Sequence, residues 1–147
     1  MRSVARVVLL TCATQWLAAC LLFGPSEGGE LSSAMARWRA RGLNQYEFTL
    51  SYSCDCPYQP LRIRVSGDAI VQVTDLATGN PTTPDSRAKT IPGLFGYIRS
   101  ILDRHPDWIQ VDYDPDLGFP LDVGVDYDRR AIDDEGGFSV SDLVQVP

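Results

Sequence analysis

The sequence predicts a domain of the α+β class, in which two helices pack on an antiparallel sheet of about six strands. Several short segments alternate apolar and polar residues, as strands do when one face lies on a core and the other faces water. Two further segments carry apolar residues at the spacing of a helix that buries one face. The turns between neighbouring strands are short, which favours antiparallel pairing because parallel strands need long crossover connections.

The first predicted helix is about ten residues long and ends near Gly42, a residue type that favours the C-terminal cap. Ser32 and Ser33 are candidate N-caps, because a serine oxygen can accept a bond from the free N–H groups of the first turn. The apolar residues of this segment recur at helical spacing: Leu31, Ala34, Met35 and Trp38. The segment therefore predicts a helix with one buried face.

Three strands follow as an antiparallel meander. From Tyr46 to Cys56, every second residue is aromatic, apolar or cysteine, and the residues between them are polar. Leu61 to Val65 alternates with arginines, and Ile70 to Val73 forms the third strand. The turns at 57–60 and 66–68 contain proline, glycine and aspartate, which are typical turn residues.

A polar loop from Leu76 to Arg87 separates two halves of similar plan. A loop of this length is often a binding loop, and plain mobility explains it equally well. Thr90 is a candidate cap of the second helix, whose Pro92 lies in the first turn, where proline is tolerated. The later strands are predicted at 108–113, 121–127 and 138–144. Each half then reads as a helix followed by three strands, so an αβββ duplication is a further hypothesis.

The first twenty residues have the layout of a secretory signal. Arg2 and Arg6 form a short positive region, and the apolar run after them is shorter than the roughly 20 residues that cross a bilayer. Leu17-Ala18-Ala19-Cys20 resembles the lipobox of bacterial lipoproteins. The resemblance implies cleavage before Cys20 and acyl chains on its sulfur and its new amino group. An ordinary signal peptide with a chance cysteine is the alternative.

Domain organisation follows from this anchor. Residues 1–19 are the predicted lipoprotein signal peptide, residues 20–30 the lipidated Cys20 with a flexible glycine-rich tether, and residues 31–147 a single globular α+β domain. The chain has a net charge of −6, and removal of the signal takes away two arginines and leaves −8. Such a domain repels phosphates, so nucleic acid is excluded as a partner.

Cys54 and Cys56 are the first group that could carry chemistry. On a continuous strand their side chains share a face, and their Cα atoms lie about 6.6 Å apart, at about 3.3 Å per residue. That distance is at the upper edge of disulfide geometry, and a bend at Pro57 would shorten it. The alternatives are a structural disulfide, two buried thiols, or a redox or metal pair. Two thiolates alone make half a zinc site.

Acidic residues at the ends of the second-half hairpins are the other candidates. Asp114 and Asp116 flank one hairpin end, and Asp126 and Asp128 lie near the next. Calcium prefers six to eight oxygen ligands, but the calcium-loop order of aspartates and glycine is missing here. Aspartate also has ordinary turn roles, because it bonds its own backbone. The interpretations are structural turns, a binding site, or a calcium-dependent or carboxylate-using hydrolase. No metal or other cofactor is predicted.

Several motifs resemble those of a family of small bacterial lipoproteins that share a domain of unknown function, the one numbered 6174. The most specific are the Cys54-x-Cys56 pair and the turn from Tyr113 to Pro120, which reads Tyr-Asp-Pro-Asp-Leu-Gly-Phe-Pro. The resemblance also includes these segments: Tyr46-Glu47-Phe48, Val65-x-Gly67, Thr90 to Phe95 and Asp133-Asp134-Glu135. It covers roughly Trp38 to Val144. The resemblance implies the anchor and the α+β fold, and it assigns no activity.

We therefore expect a lipid-anchored protein of the cell envelope that binds a protein or another envelope component and has no enzymatic activity. The alternatives from other classes are the hydrolase at the acidic hairpin ends and a thiol site at Cys54 and Cys56. Leu21, rather than an aspartate, follows Cys20. By resemblance to lipoprotein sorting, that favours an outer membrane, facing the periplasm, in bacteria with two membranes. With one membrane, the outer face of the plasma membrane is expected.

Overall fold

The structure, a computed structural model, describes residues 27–54 and 56–147. The predicted signal peptide and Cys20 lie outside these residues. The helices are α1 (Glu27–Arg41) and α2 (Ile91–Leu102). The strands are β1 (Gln45–Ser53), β2 (Leu61–Ser66), β3 (Ala69–Asp75), β4 (Pro81–Thr82), β5 (Trp108–Tyr113), β6 (Pro120–Asp126) and β7 (Glu135–Gln145). Among the described residues, neither helix has the length and hydropathy of a membrane span.

The seven strands form one antiparallel sheet in the order β4-β3-β2-β1-β7-β6-β5. The α+β class is therefore confirmed, with seven strands in place of about six. The additional strand, Pro81–Thr82, lies in the predicted loop and pairs with Val73 and Thr74. A pair of residues that includes a proline carries no alternating pattern, so this strand could not be predicted from the sequence.

Both helices pack on the same face of the sheet. Tyr46 of β1 shows this directly, because its ring meets Trp38 of α1 edge-on, with ring centroids 5.2 Å apart. The backbone N–H of Ile91, the first residue of α2, donates to the Tyr46 hydroxyl oxygen at 3.2 Å. Burial raises the pKa of Tyr46 to about 12. Of the alternating residues predicted to face the core, Tyr46, Phe48 and Leu50 are buried in one cluster. Tyr52 is half-buried, and Cys54, beyond the end of β1 at Ser53, is exposed.

The predicted αβββ duplication is contradicted by the hand of the two halves. Seen from the helix face with β1 pointing up, β2 and β3 follow to one side. With β5 pointing up, β6 and β7 follow to the opposite side, because β7 rather than β5 pairs with β1. Since α1 and α2 share a face, no rotation superimposes one half on the other. The two halves therefore share the order of their elements along the chain but not the arrangement of those elements in space.

The start of the first helix also differs from the prediction. The helix begins at Glu27 and includes residues 27–30, which the sequence assigned to the tether. Ser32 and Ser33 are not N-caps: their hydroxyls donate to the carbonyl oxygens of Gly28 and Gly29, one turn back. The second helix begins as predicted, with the Thr90 hydroxyl oxygen accepting from the Gly93 N–H at 3.1 Å.

Candidate functional site

Cys54 and Cys56 are paired. Strand β1 ends at Ser53 rather than continuing through both cysteines, and their Cα atoms lie 5.1 Å apart with the sulfurs in disulfide contact. The N–H of Cys56 donates to the carbonyl oxygen of Cys54 at 2.8 Å, which bends the chain back at this point. The bend shortens the distance expected for a continuous strand. Of the interpretations left open above, the geometry favours the disulfide.

The Tyr113–Pro120 turn, the most specific motif of the sequence, is a structural turn. The Asp114 carboxylate accepts from the N–H groups of Asp116, at 3.0 Å, and Leu117, at 2.6 Å. The Asp114 N–H donates to the carbonyl oxygen of Phe119, and the Gly118 N–H donates to that of Asp114. The carboxylate of Asp114 is thus engaged by the backbone of its own turn.

This turn docks on helix α1. The Arg41 side chain donates two hydrogen bonds to the carbonyl oxygen of Asp116, at 3.1 and 3.0 Å. Gly118 has a φ of +83° and lies against Ala34 and Arg37 so closely that a Cβ there would be 2.8 Å from the Arg37 Cβ. Asp114 and Asp116 therefore help to hold β5 and β6 against α1. Of the interpretations given above for these aspartates, this geometry favours structural turns.

Asp126 and Asp128 lie at the opposite end of the β5–β6 hairpin, because Asp126 pairs with Trp108 at the start of β5. Asp128 pairs with Arg130 at 3.0 Å, and its N–H donates to the Asp134 carboxylate at 2.7 Å. A six-residue strand spans roughly 20 Å, so the two aspartate pairs do not form one site. Burial raises the pKa of Asp126, with smaller contributions from Asp134 and Glu135.

The described residues hold no group of three or more His, Cys, Asp or Glu side chains arranged to bind a metal ion. The sequence contains one histidine. That residue, His105, is exposed at the C-terminal end of α2, with a φ of 53°.

The sequence did not predict a groove of about 420 Å³ between α1 and β5. Side chains of both elements line it: Glu30, Ser33, Arg37, Val111, Asp112 and Tyr113. Three side-chain atoms beside it are buried and have no hydrogen-bond partner among the described residues: Glu27 Oε2, Arg37 Nε and the Tyr113 hydroxyl. Buried polar atoms are normally paired, and half of the six unpaired ones in the described part of the chain lie beside the α1/β5 groove.

The electrostatics of the α1/β5 groove are dominated by acids. Burial raises the pKa of Glu27, and the neighbouring carboxylates of Glu30 and Asp112 raise it further. Burial also raises the pKa of the Tyr113 hydroxyl, and the negative charges of Glu27 and Glu30 act in the same direction. Arg37 is the cation that opposes them at Tyr113. An additional cation in this groove would therefore be stabilised.

Strand β5 forms one edge of the sheet, and no described strand pairs with its outer side. At its start, Trp108 is 41% exposed, and its ring lies over Gly124, where a Cβ would be 3.0 Å from two ring carbons. The sequence could predict that 108–113 is a strand. It could not predict that this strand is an edge, because strand order depends on the pairing of β1 with the distant β7.

The comparisons with known proteins identify a family and nothing further. No curated protein and no solved structure matches the chain. The family model described as "Family of unknown function (DUF6174)" matches residues 30–145, which include α2, most of α1 and the whole sheet. The chain therefore belongs to this family of unknown function.

Proposed function

We propose that the protein is a lipid-anchored component of the cell envelope whose domain binds another envelope component and catalyses no reaction. The observation that carries the binding role is the unpaired edge of β5, with the α1/β5 groove beside it and Trp108 exposed at its start. The motif ending at Cys20 supports the anchor.

The anchor places the domain close to a bilayer. Since α1 already begins at Glu27, the sequence-predicted tether after Cys20 is limited to residues 21–26, which lie outside the described residues. Two or more acyl chains hold a protein firmly, whereas one chain binds only marginally. A partner of this domain is therefore expected near the membrane surface. By the resemblance to lipoprotein sorting, this is the periplasmic side of an outer membrane, or the outer face of the plasma membrane in bacteria with one membrane.

The binding role is supported by how the sheet is covered. Both helices lie on one face, and the other face carries polar residues and three exposed apolar side chains, of Val71, Trp108 and Val144. Two of the four aspartates that a hydrolase could use, Asp114 and Asp128, are instead engaged in turns. A non-catalytic surface on the β5 side accounts for these contacts better than a reaction centre does.

Replacement of the predicted lipid acceptor tests the anchor. Cys20→Ser is expected to abolish labelling with radioactive palmitate and to move the protein from the membrane to the soluble fraction. Cys12→Ser is the matched control, because it removes a thiol from the same segment outside the lipobox, and it should change neither readout. Equal membrane retention of both variants would contradict the anchor.

Site-specific photo-crosslinking in intact cells tests the binding surface. A photoreactive residue at Gln110, in the middle of β5, should yield a discrete crosslinked species. The same residue at Thr82, on the opposite edge strand β4, is the control and should yield none. The Gln110 product should diminish when Trp108→Ala is added. No product at Gln110, or equal products at both edges, would overturn the β5 surface.

A further inference from the structure

We infer that β5 accepts an extended, basic segment of a protein partner as an eighth strand of the sheet. The inference rests on the proposed binding function and names the partner's chemistry and its mode of binding. Four features carry it: the open edge, the α1/β5 groove, the acids around that groove, and the unpaired polar atoms beside it.

The two edges of the sheet differ in how they are protected. Proteins usually blunt edge strands with short length, proline or charge, because unpaired backbone groups recruit other strands. Strand β4 follows this rule, since it consists of Pro81 and Thr82 only. Strand β5 has six residues, contains no proline or lysine, and pairs regularly with β6 until a register shift between Asp112 and Tyr113. Strand addition is a recurring mode of peptide recognition at such edges.

The charges around the groove select a basic partner. Three carboxylates, of Glu27, Glu30 and Asp112, face one guanidinium, of Arg37. A lysine or arginine of an added strand would offset the repulsion among these carboxylates, which adds to the effect of burial in raising the pKa of Glu27. A second copy of this chain would instead bring the same carboxylates opposite one another, and the net charge of −6 opposes its approach. The charge pattern therefore favours a different, basic chain over self-pairing.

Two of the three unpaired atoms match the basic side chains of such a segment; the third, Arg37 Nε, is a donor that only a backbone carbonyl of the segment could satisfy. An ammonium group has three donors and a guanidinium has five, and the buried Oε2 of Glu27 is an acceptor that no described residue satisfies. The Tyr113 hydroxyl can accept from the same group or donate to a backbone carbonyl of the added strand. Backbone pairing along β5 would supply affinity, and the acids would supply the preference for positive charge.

Calorimetry with defined peptides tests the inference on the protein as purified from cells in non-ionic detergent. The probe is a ten-residue peptide of alternating valine and lysine, and the comparison peptide alternates valine and glutamate. We expect the basic peptide to bind at least tenfold more tightly than the acidic peptide. We also expect 0.5 M salt to weaken the binding of the basic peptide. Equal binding of both peptides would overturn the basic selectivity.

Backbone methylation of the peptide separates strand addition from charge attraction. Two further basic peptides carry N-methyl groups on alternate residues, one peptide in each of the two possible frames. A strand pairs with an edge through every second N–H, so one frame should lose binding at least tenfold and the other should retain it. Equal affinities of the two frames would overturn the eighth-strand mode, because methylation leaves the charge unchanged.

Two charge variants test the acids without unfolding the domain. Glu27→Gln should weaken the binding of the basic peptide about fivefold or more. It should leave the thermal stability of the domain unchanged or higher, because it removes a partly buried carboxylate whose pKa is raised. Asp68→Asn, at the exposed β2–β3 turn, makes the same charge change and should leave binding unaltered. Equal effects of both variants would show a diffuse field and overturn the assigned groove.

Failure of this inference is distinguishable from failure of the proposed function. A crosslink at Gln110 in cells, together with peptides that do not bind or do not respond to methylation, overturns the basic strand and leaves the binding surface in place. Absence of the Gln110 crosslink together with absence of peptide binding overturns both.

Discussion

Gly137→Ala is expected to lower the free energy of unfolding by about 3 kcal/mol, whereas Gly136→Ala, one residue earlier on β7, should cost less than about 1 kcal/mol. A Cβ at Gly137 would overlap the backbone carbonyl oxygen of Val123 on β6 and lie 2.8 Å from the Ser53 hydroxyl oxygen. A Cβ at Gly136 would meet only the carbonyl oxygen of Ser53, at 3.8 Å, an ordinary contact.

The two adjacent glycines therefore form an internally controlled pair. Both variants change the entropy of the unfolded chain alike, so the difference between them reports the crowding of β7 against β6. Urea denaturation followed by circular dichroism gives both free energies of unfolding. Similar losses at the two positions would show that β7 can move away from β6 at little cost, which contradicts the close pairing described here.

Gly118→Ala should destabilise the domain by about 3 kcal/mol, against about 1 kcal/mol for Gly67→Ala. Both glycines have positive φ, +83° and +62°, so both variants carry the cost of a left-handed residue. At Gly67 nothing lies within 4 Å of the added Cβ, whereas at Gly118 it overlaps the carbonyl oxygen of Ala34 and crowds the Arg37 Cβ. The difference isolates the contact of the Tyr113–Pro120 turn with α1.

This contact also connects stability to the proposed function. Because the turn sets β5 against α1, displacing it should change the α1/β5 groove. At temperatures where both variants remain folded, Gly118→Ala should reduce the Gln110 crosslink and Gly67→Ala should not. Thermal unfolding followed by circular dichroism supplies the temperature range. A fully retained crosslink in a destabilised Gly118→Ala protein would mean that the turn supports the fold without shaping the groove.

Local patterns predicted the parts of the fold that local residues determine. The alternation around Phe48 identified a strand with one buried face, and Thr90 with Pro92 identified the start of α2, because caps and periodicity act over a few residues. The start of α1 was missed because Gly28 and Gly29 suggested a tether. The signal that could have located this start was the pair Glu27 and Glu30, because acidic residues are favoured in the first turn of a helix.

The remaining features depend on contacts between distant parts of the chain. The hand of the second half and the edge position of β5 both follow from pairing between β1 and β7, for which Leu50 opposite Val140 is an example. The α1/β5 groove arises where Arg37 and Tyr113 approach each other across 76 positions of sequence. Composition predicted an acidic domain, but only the structure shows where the acids face an open strand.

Residue-resolved hydrogen exchange of β5, with and without the alternating valine–lysine peptide, reports strand addition at the individual amides of this edge. In the free protein, alternate amides between Ile109 and Asp112 should exchange rapidly, because they point away from β6. The peptide should slow these amides at least tenfold and leave those of β4 unchanged. Peptide binding without any new protection in β5 would contradict strand addition at this edge.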